Sequence, residues 1–152
     1  MIQPGRLDLA ADRWVACIRT LPIVNADLTG AAFSLQVRLA PDTPGSALIS
    51  LGNAASAAAE GVRVVEAATV TVASHIAAGR LNEVPNGYAL IDSVAVTVLG
   101  LRINESTMEG LPPAAETGMD LDCAWDLHIT PSGSIKDKYA GGKFTIRAGV
   151  TQ

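Results

Sequence analysis

The chain holds 152 residues, of which 49% are apolar and 17% charged, a balance that excludes a disordered segment and supplies one hydrophobic core. The formal net charge of −4 and the pI near 5.0 exclude the basic surface that direct nucleic-acid binding needs. The N-terminus MIQPGRLDLAADRW lacks a charged segment leading into a long apolar one, and nowhere do ~18 apolar residues follow one another, so the expectation is a soluble protein made in the cytoplasm, with no membrane partner.

Aromatic residues are only 4% of the chain, so its core is built from small and branched aliphatic side chains. Such a thin layer suits sheet packed on sheet and leaves room for neighbouring copies to supply part of the buried area. One domain over residues 1–152 is expected.

In chain order, Arg13 to Leu21 reads as a first strand, with Trp14, Ala16 and Ile18 on one face. Asn25-Ala26-Asp27-Leu28-Thr29-Gly30 is a turn, because Asn, Asp and Gly bend a chain by side-chain hydrogen bonding or positive φ. Phe33 to Leu39 alternates cleanly, with Phe33, Leu35, Val37 and Leu39 inward. After the loop Ala40 to Gly45, the segment Ala47 to Leu51 is its hairpin partner. The alanine-rich run Ala54 to Glu60 lies between glycines and is too short for a stable helix, so it is a loop. Gly61 to Glu66 and Thr69 to Val72 carry the β-branched residues that strands prefer, with a bend or bulge over Glu66-Ala67-Ala68.

Ala73 to Glu83 fits either a short helix capped at Ser74 or an irregular crossover. Val84 to Tyr88 holds an Asn-Gly turn. Ser93 to Ile103 is a long strand, apolar on both faces, and must be central in a sheet or covered by another protein. Asn104 and Ser106 can cap a short helix over Glu105 to Gly110, which Pro112-Pro113 ends. Asp120 to Thr130 is a strand with Leu121, Cys123, Trp125, Leu127 and Ile129 inward and Asp122, Asp126 and His128 outward. Pro131 to Ser134 turns the chain into a last strand, Lys143 to Arg147, and a closing hairpin that runs to Gly149-Val150-Thr151. About eight short strands at even spacing predict an all-β fold, a single sandwich or flattened barrel with one or two helical turns.

Candidate chemistry is sparse. His75 and His128 are the two histidines, and Asp126-x-His128 on one strand face is read as a pair of solvated residues rather than an acid–base dyad. Asp120, Asp122 and Asp126 with Glu116 are read as a ladder of surface acids rather than a calcium or glycosidase site. Gly141-Gly142-Lys143 lacks the context of a phosphate loop, and the glycines are read as turns. Cys17 and Cys123 are buried thiols, since their spacing fits no zinc pattern. Trp14 and Trp125 are assigned to the core, although exposed indoles would suit a sugar-binding module. No residue is assigned to catalysis, to a cofactor or to a metal.

Two patterns carry a resemblance. One is Asp27-Leu28-Thr29-Gly30-Ala31-Ala32-Phe33-Ser34-Leu35-Gln36-Val37-Arg38; the other is Trp125-Asp126-Leu127-His128-Ile129-Thr130 followed by Gly133, Gly142, Ile146 and Gly149-Val150-Thr151. Together they resemble the small β-sandwich domain of tailed-phage and prophage virion proteins, including the N-terminal regions of baseplate proteins. Ala54 to Ala59 and Ser74 to Tyr88 have no counterpart in that pattern. The resemblance implies a non-enzymatic bacteriophage virion protein of the tail, neck or baseplate, located in the virion, that assembles with copies of itself as a homo-oligomer and with neighbouring virion structural proteins. The alternative is a small carbohydrate- or ligand-binding β-sandwich module.

Overall fold

The computed structural model describes residues 5–41, 44–114, 116 and 118–148. In chain order the elements are β1 (Gly5–Arg6), β2 (Leu9–Asp12), β3 (Cys17–Val24), β4 (Ala32–Arg38), β5 (Ile49–Leu51), β6 (Gly61–Thr71), α1 (Val72–Ala77), β7 (Ser93–Ile103), α2 (Glu105–Glu109), β8 (Leu121–Thr130) and β9 (Asp137–Arg147). They form an all-β sandwich of two sheets. The larger has the order β1-β9-β8-β4-β5, with β2 also paired to β9, and the smaller is β3-β7-β6. β1 and β2 run parallel to β9, and the other pairings are antiparallel.

The period-two patterns of β4 and β8 set the core. Their register places Phe33 opposite Ile129, Leu35 opposite Leu127 and Val37 opposite Trp125, while Cys123 faces Phe144 across to β9. These side chains meet Cys17, Leu21, Val62, Leu99, Leu101 and Ile103 of the smaller sheet in one buried cluster. Each fully buried aliphatic or aromatic residue contributes about 1.5–3 kcal/mol of transfer free energy.

β7 is central in the smaller sheet, and its two apolar faces have two different covers. Leu99, Leu101 and Ile103 face the sandwich. Val94, Val96 and Val98 face outward and are buried under Val72 and Leu81, with Val24, Ile76 and Tyr88 packed alongside. The apolar surface of this strand is therefore covered by the chain itself, not by another protein. Thr97 is its one inward polar residue. Its hydroxyl donates to the Ala26 carbonyl at 2.8 Å and accepts the Leu28 N–H at 3.0 Å, which anchors the turn before β4.

α1 settles the ambiguity after β6 as a helix. Thr71, not Ser74, is the N-cap: its hydroxyl accepts the Ser74 N–H. His75, wholly buried, locks the helix down. Its Nε2 lies 2.8 Å from the Val94 carbonyl and its Nδ1 accepts from Arg80 Nε at 2.8 Å, which assigns the proton to Nε2.

Several sequence expectations are corrected. β1 and β2 were not foreseen, and β3 starts at Cys17, not Arg13. Arg13 and Trp14 instead form a turn, with the Arg13 guanidinium on the Leu111 and Pro112 carbonyls. Trp14 is consequently 44% exposed, and Ile18 is 56% exposed because Cys17 takes the inward position. β6 is one strand, with its irregularity between Val64 and Glu66. Leu39 lies beyond the end of β4 and is exposed. Gly141 and Gly142 sit inside β9, where close backbone approach, not turning, requires them. The closing segment Gly149-Val150-Thr151 lies outside the described residues.

Candidate functional site

The outward residues of β4, β8 and β9 line a groove of about 600 Å³. Register puts its parts in rows across the sheet. Gln36 lies opposite Asp126, and Asp126 opposite Gly141, with Arg6 of β1 next in the same row. The adjoining row is Arg38, Ala124 and Lys143. Ala124 and Gly141 keep the floor low, and Leu39, Ala40 and Pro41 form an apolar wall.

Among the described residues, four basic side chains, Arg6, Arg38, Lys138 and Lys143, and two acidic ones, Asp122 and Asp126, line this groove, so their summed formal charge is opposite in sign to that of the whole chain at −4. Most of these groups are engaged. Arg6 pairs with Asp8 at 3.5 Å and Lys143 with Asp122 at 3.6 Å. Asp122 also accepts the Thr145 hydroxyl at 3.0 Å, and Arg38 donates to Gln36 Oε1 at 3.0 Å. The Asp8 carboxyl is held below the ordinary carboxylate range, first by the Lys143 N–H that it accepts and then, against some desolvation, by Arg6.

Asp126 differs from the rest. Its Oδ1 is buried and has no hydrogen-bond partner among the described residues; His128 Nδ1 stands 3.9 Å away, beyond hydrogen-bonding reach. Lys138 crosses Gly141, its Nζ 3.4 Å from where a Cβ there would sit.

The other sequence candidates disperse. Trp125 is buried, 3% exposed, and its Nε1–H donates inward to the Leu7 carbonyl at 2.8 Å, so its indole offers no stacking face in the groove. Trp14 is exposed in its turn, apart from the groove lining. Asp120 accepts the Ala148 N–H at 3.0 Å, away from the Asp122 and Asp126 contacts. Among the described residues, no group of three or more His, Cys, Asp and Glu is placed to hold a metal ion. His75 has both ring nitrogens engaged in the core. Among the described residues no helix is long and apolar enough to cross a membrane.

Both cysteines are buried free thiols, and burial pushes both up from the ordinary thiol range. A low thiolate fraction and poor access predict that a thiol reagent at pH 8 labels neither in the native protein and both in denaturant. Fast native labelling of either would place that cysteine at the surface.

Opposite the groove lies the outer face of the smaller sheet. α1 and the segment after it cover Val94, Val96 and Val98; Ile18, Thr20, Val65 and Gly100, with Arg63 and Arg102, line a shallow depression beside the 54–59 loop. The two edges of this sheet also differ. β3 carries Pro22 and Arg19, which blunt an edge. β6 is eleven residues long. Its start is closed by backbone bonds from Val62 to Gly52 and Ala54 at 2.9 Å, and from Glu66 to Thr71 no strand of the described residues lies on its free side.

The groove residues were only half visible in the sequence. Asp122 and Asp126 follow from strand alternation, but Arg6, Arg38 and Lys138 reach them through register across four strands. No protein-family model matches the chain, and no curated protein matches it.

Proposed function

We propose that this chain is a non-enzymatic structural component of a bacteriophage virion, in the tail, neck or baseplate, that assembles through the smaller sheet with copies of itself and with neighbouring virion proteins. The observation that carries the reading is β6: a long edge whose open part, Glu66-Ala67-Ala68-Thr69-Val70-Thr71, has one charged residue, and that residue is held by Arg80 at 3.6 Å. An unblunted edge accepts a further strand through its main chain. Next to it, Val65 and Ile18 present apolar side chains to solvent, 44% and 56% exposed, and extend the same surface over the sheet. The resemblance carried by residues 27–38 and 125–151 supplies the setting, since edge pairing and flat apolar faces are how sandwich domains stack into larger assemblies.

Separation of particles from free protein on a density gradient, followed by mass spectrometry, tests this directly. The expected result is co-migration with particles at fixed stoichiometry. Ile18→Asp and Val65→Asp, both at exposed positions, are expected to leave the fold intact and to remove the chain from particles. Recovery of the wild-type chain only among free proteins would sink the virion reading, and normal incorporation of both variants would remove the smaller sheet from the interface.

A further inference from the structure

We propose that the open edge of β6 is the seam of a two-fold dimer, in which β6 of a second copy of this chain pairs antiparallel with it about an axis at Ala68. The inference rests on the reading of the smaller sheet as an assembly surface and names the strand that this surface receives. It does not depend on where the assembly resides.

The direction of the main chain defines the site. Asn25 and Ala26 both donate to the Ala95 carbonyl, so the main-chain groups of Ala95 in β7 point toward β3. Its neighbour across in β6, Thr69, is therefore not bonded to β7 and aims its N–H and C=O at the open side, as does Ala67 two residues before it. Both residues are exposed, and among the described residues no main-chain group bonds them there. The edge ends at Thr71, because the carbonyl of this N-cap residue serves the first turn of α1.

The occupant follows from the edges that the chain can present. Among the described residues, β3 is interrupted by Pro22, which lacks a donor, and the outer strands of the larger sheet, β1, β2 and β5, hold two, four and three residues. The strand that fits β6 is β6 of another copy. Pairing Ala67 of each copy with Thr69 of the other satisfies both rows with about four main-chain hydrogen bonds and sets Ala68 against Ala68, side chains small enough for the strands to close. Glu66, the one charged residue of the open edge, then lies opposite Val70 of the other copy. The two Glu66 residues stand about 14 Å apart along the ladder at ~3.4 Å per residue, beyond the ~8 Å Debye length, so two acidic chains meet at a neutral seam.

The same register gathers exposed apolar side chains. Val65 of each copy, 44% exposed, arrives at Thr71 of the other, next to the turn in which Leu90 and Ile91 are 52% and 84% exposed. That turn is fixed at the end of β6 by bonds from Val72 N to the Asp92 carbonyl and from Ala73 N to the Leu90 carbonyl. Joining the two β3-β7-β6 sheets leaves β3 at both ends of the combined sheet, so the pairing closes at two copies.

The test is sedimentation of the purified full chain over a concentration series, in which the mass is expected to rise to twice the 15.7 kDa of one chain. Thr69→Lys, at an exposed edge position, is expected to keep the wild-type circular dichroism and to weaken the dimer at least about tenfold, since it places two like charges on neighbouring rungs of the seam. Ala68→Cys reads the register itself. Residues opposite one another at non-hydrogen-bonded positions stand ~4.5 Å apart at Cα, within the ~4.4–6.8 Å that a disulfide spans, so mild oxidation is expected to link this variant into dimers. Ser132→Cys, exposed in the turn before β9, is expected to stay unlinked, and the native cysteines are buried. A wild-type chain that stays monomeric throughout, a dimer undiminished by Thr69→Lys, or an Ala68→Cys variant that does not cross-link would each overturn the proposal. A monomer that still co-migrates with particles would refute this pairing and leave the assembly reading standing; a dimer absent from particles would refute the virion reading and uphold the pairing.

Discussion

Gly142→Ala is expected to lower stability by about 3 kcal/mol, or the melting temperature by about 6–12 °C for a chain of this size. In β9, Gly142 lies opposite Trp125 of β8. A Cβ on it would run into the Leu7 carbonyl oxygen and stand 2.8 Å from Asp8 Oδ1 and 2.9 Å from Leu7 C, distances that real Cβ atoms do not adopt. The chain between β1 and β2 must then lift away. With it go three bonds: Trp125 Nε1 to the Leu7 carbonyl at 2.8 Å, Leu7 N to the Gly141 carbonyl at 3.0 Å, and Lys143 N to Asp8 Oδ1 at 2.9 Å. The buried indole N–H is the costly loss, because an unsatisfied buried donor carries its whole desolvation penalty. Thermal unfolding followed by circular dichroism measures the effect, and Trp125 emission should shift to the red.

The same contact has a pH signature. The Lys143 N–H depresses the Asp8 pKa in the folded state, so the bond stabilises the fold above the unfolded carboxylate pKa, and that contribution is lost as pH falls through the lower folded value. The gap between wild type and Gly142→Ala is therefore expected to narrow in acid. An unchanged melting temperature at pH 7 would show that Leu7 and Asp8 do not pack over β9.

His75→Ala is expected to cost about 3–4 kcal/mol. The side chain is wholly buried, so its removal leaves a cavity beneath α1. It also strips the Val94 carbonyl and Arg80 Nε of their partners. Arg80, whose side chain is only 14% exposed, would keep its ion pair with Glu66 at 3.6 Å among the described residues, and a half-satisfied buried charge is expensive. Urea unfolding gives the loss, and hydrogen exchange should localise it to α1 and the residues that follow, leaving the strands of the larger sheet protected. His128→Ala on the sheet exterior is the control, expected to stay within about 0.5 kcal/mol. Equal effects of the two substitutions would refute the anchoring role of His75.

β4 and β8 could be read from alternation alone because one face of each meets the core and the other meets solvent, so hydrophobicity and geometry share the period of two. β7 had legible limits, Ser93 to Ile103, but an illegible environment. Val94, Val96 and Val98 look the same whether a partner protein or the chain's own helix covers them, and only the placement of α1 makes the cover internal. Trp14 was misassigned for a related reason: apolar character predicts burial only if the segment is a strand, and the Arg13 side chain, bonded to carbonyls about a hundred residues on, holds it as a turn.

The sequence by itself determined the fold class, most strand positions, the two buried thiols and the inward place of Trp125, because each depends on local periodicity and on the hydrophobicity of single residues. Only the tertiary structure decided the parallel pairing of β1 and β2 with β9, the burial of His75 and the assembly of the groove. Arg6, Asp126 and Lys138 are joined by strand register, and register is set by which side chains fit together across the whole core, a sum over contacts that no single stretch of sequence contains.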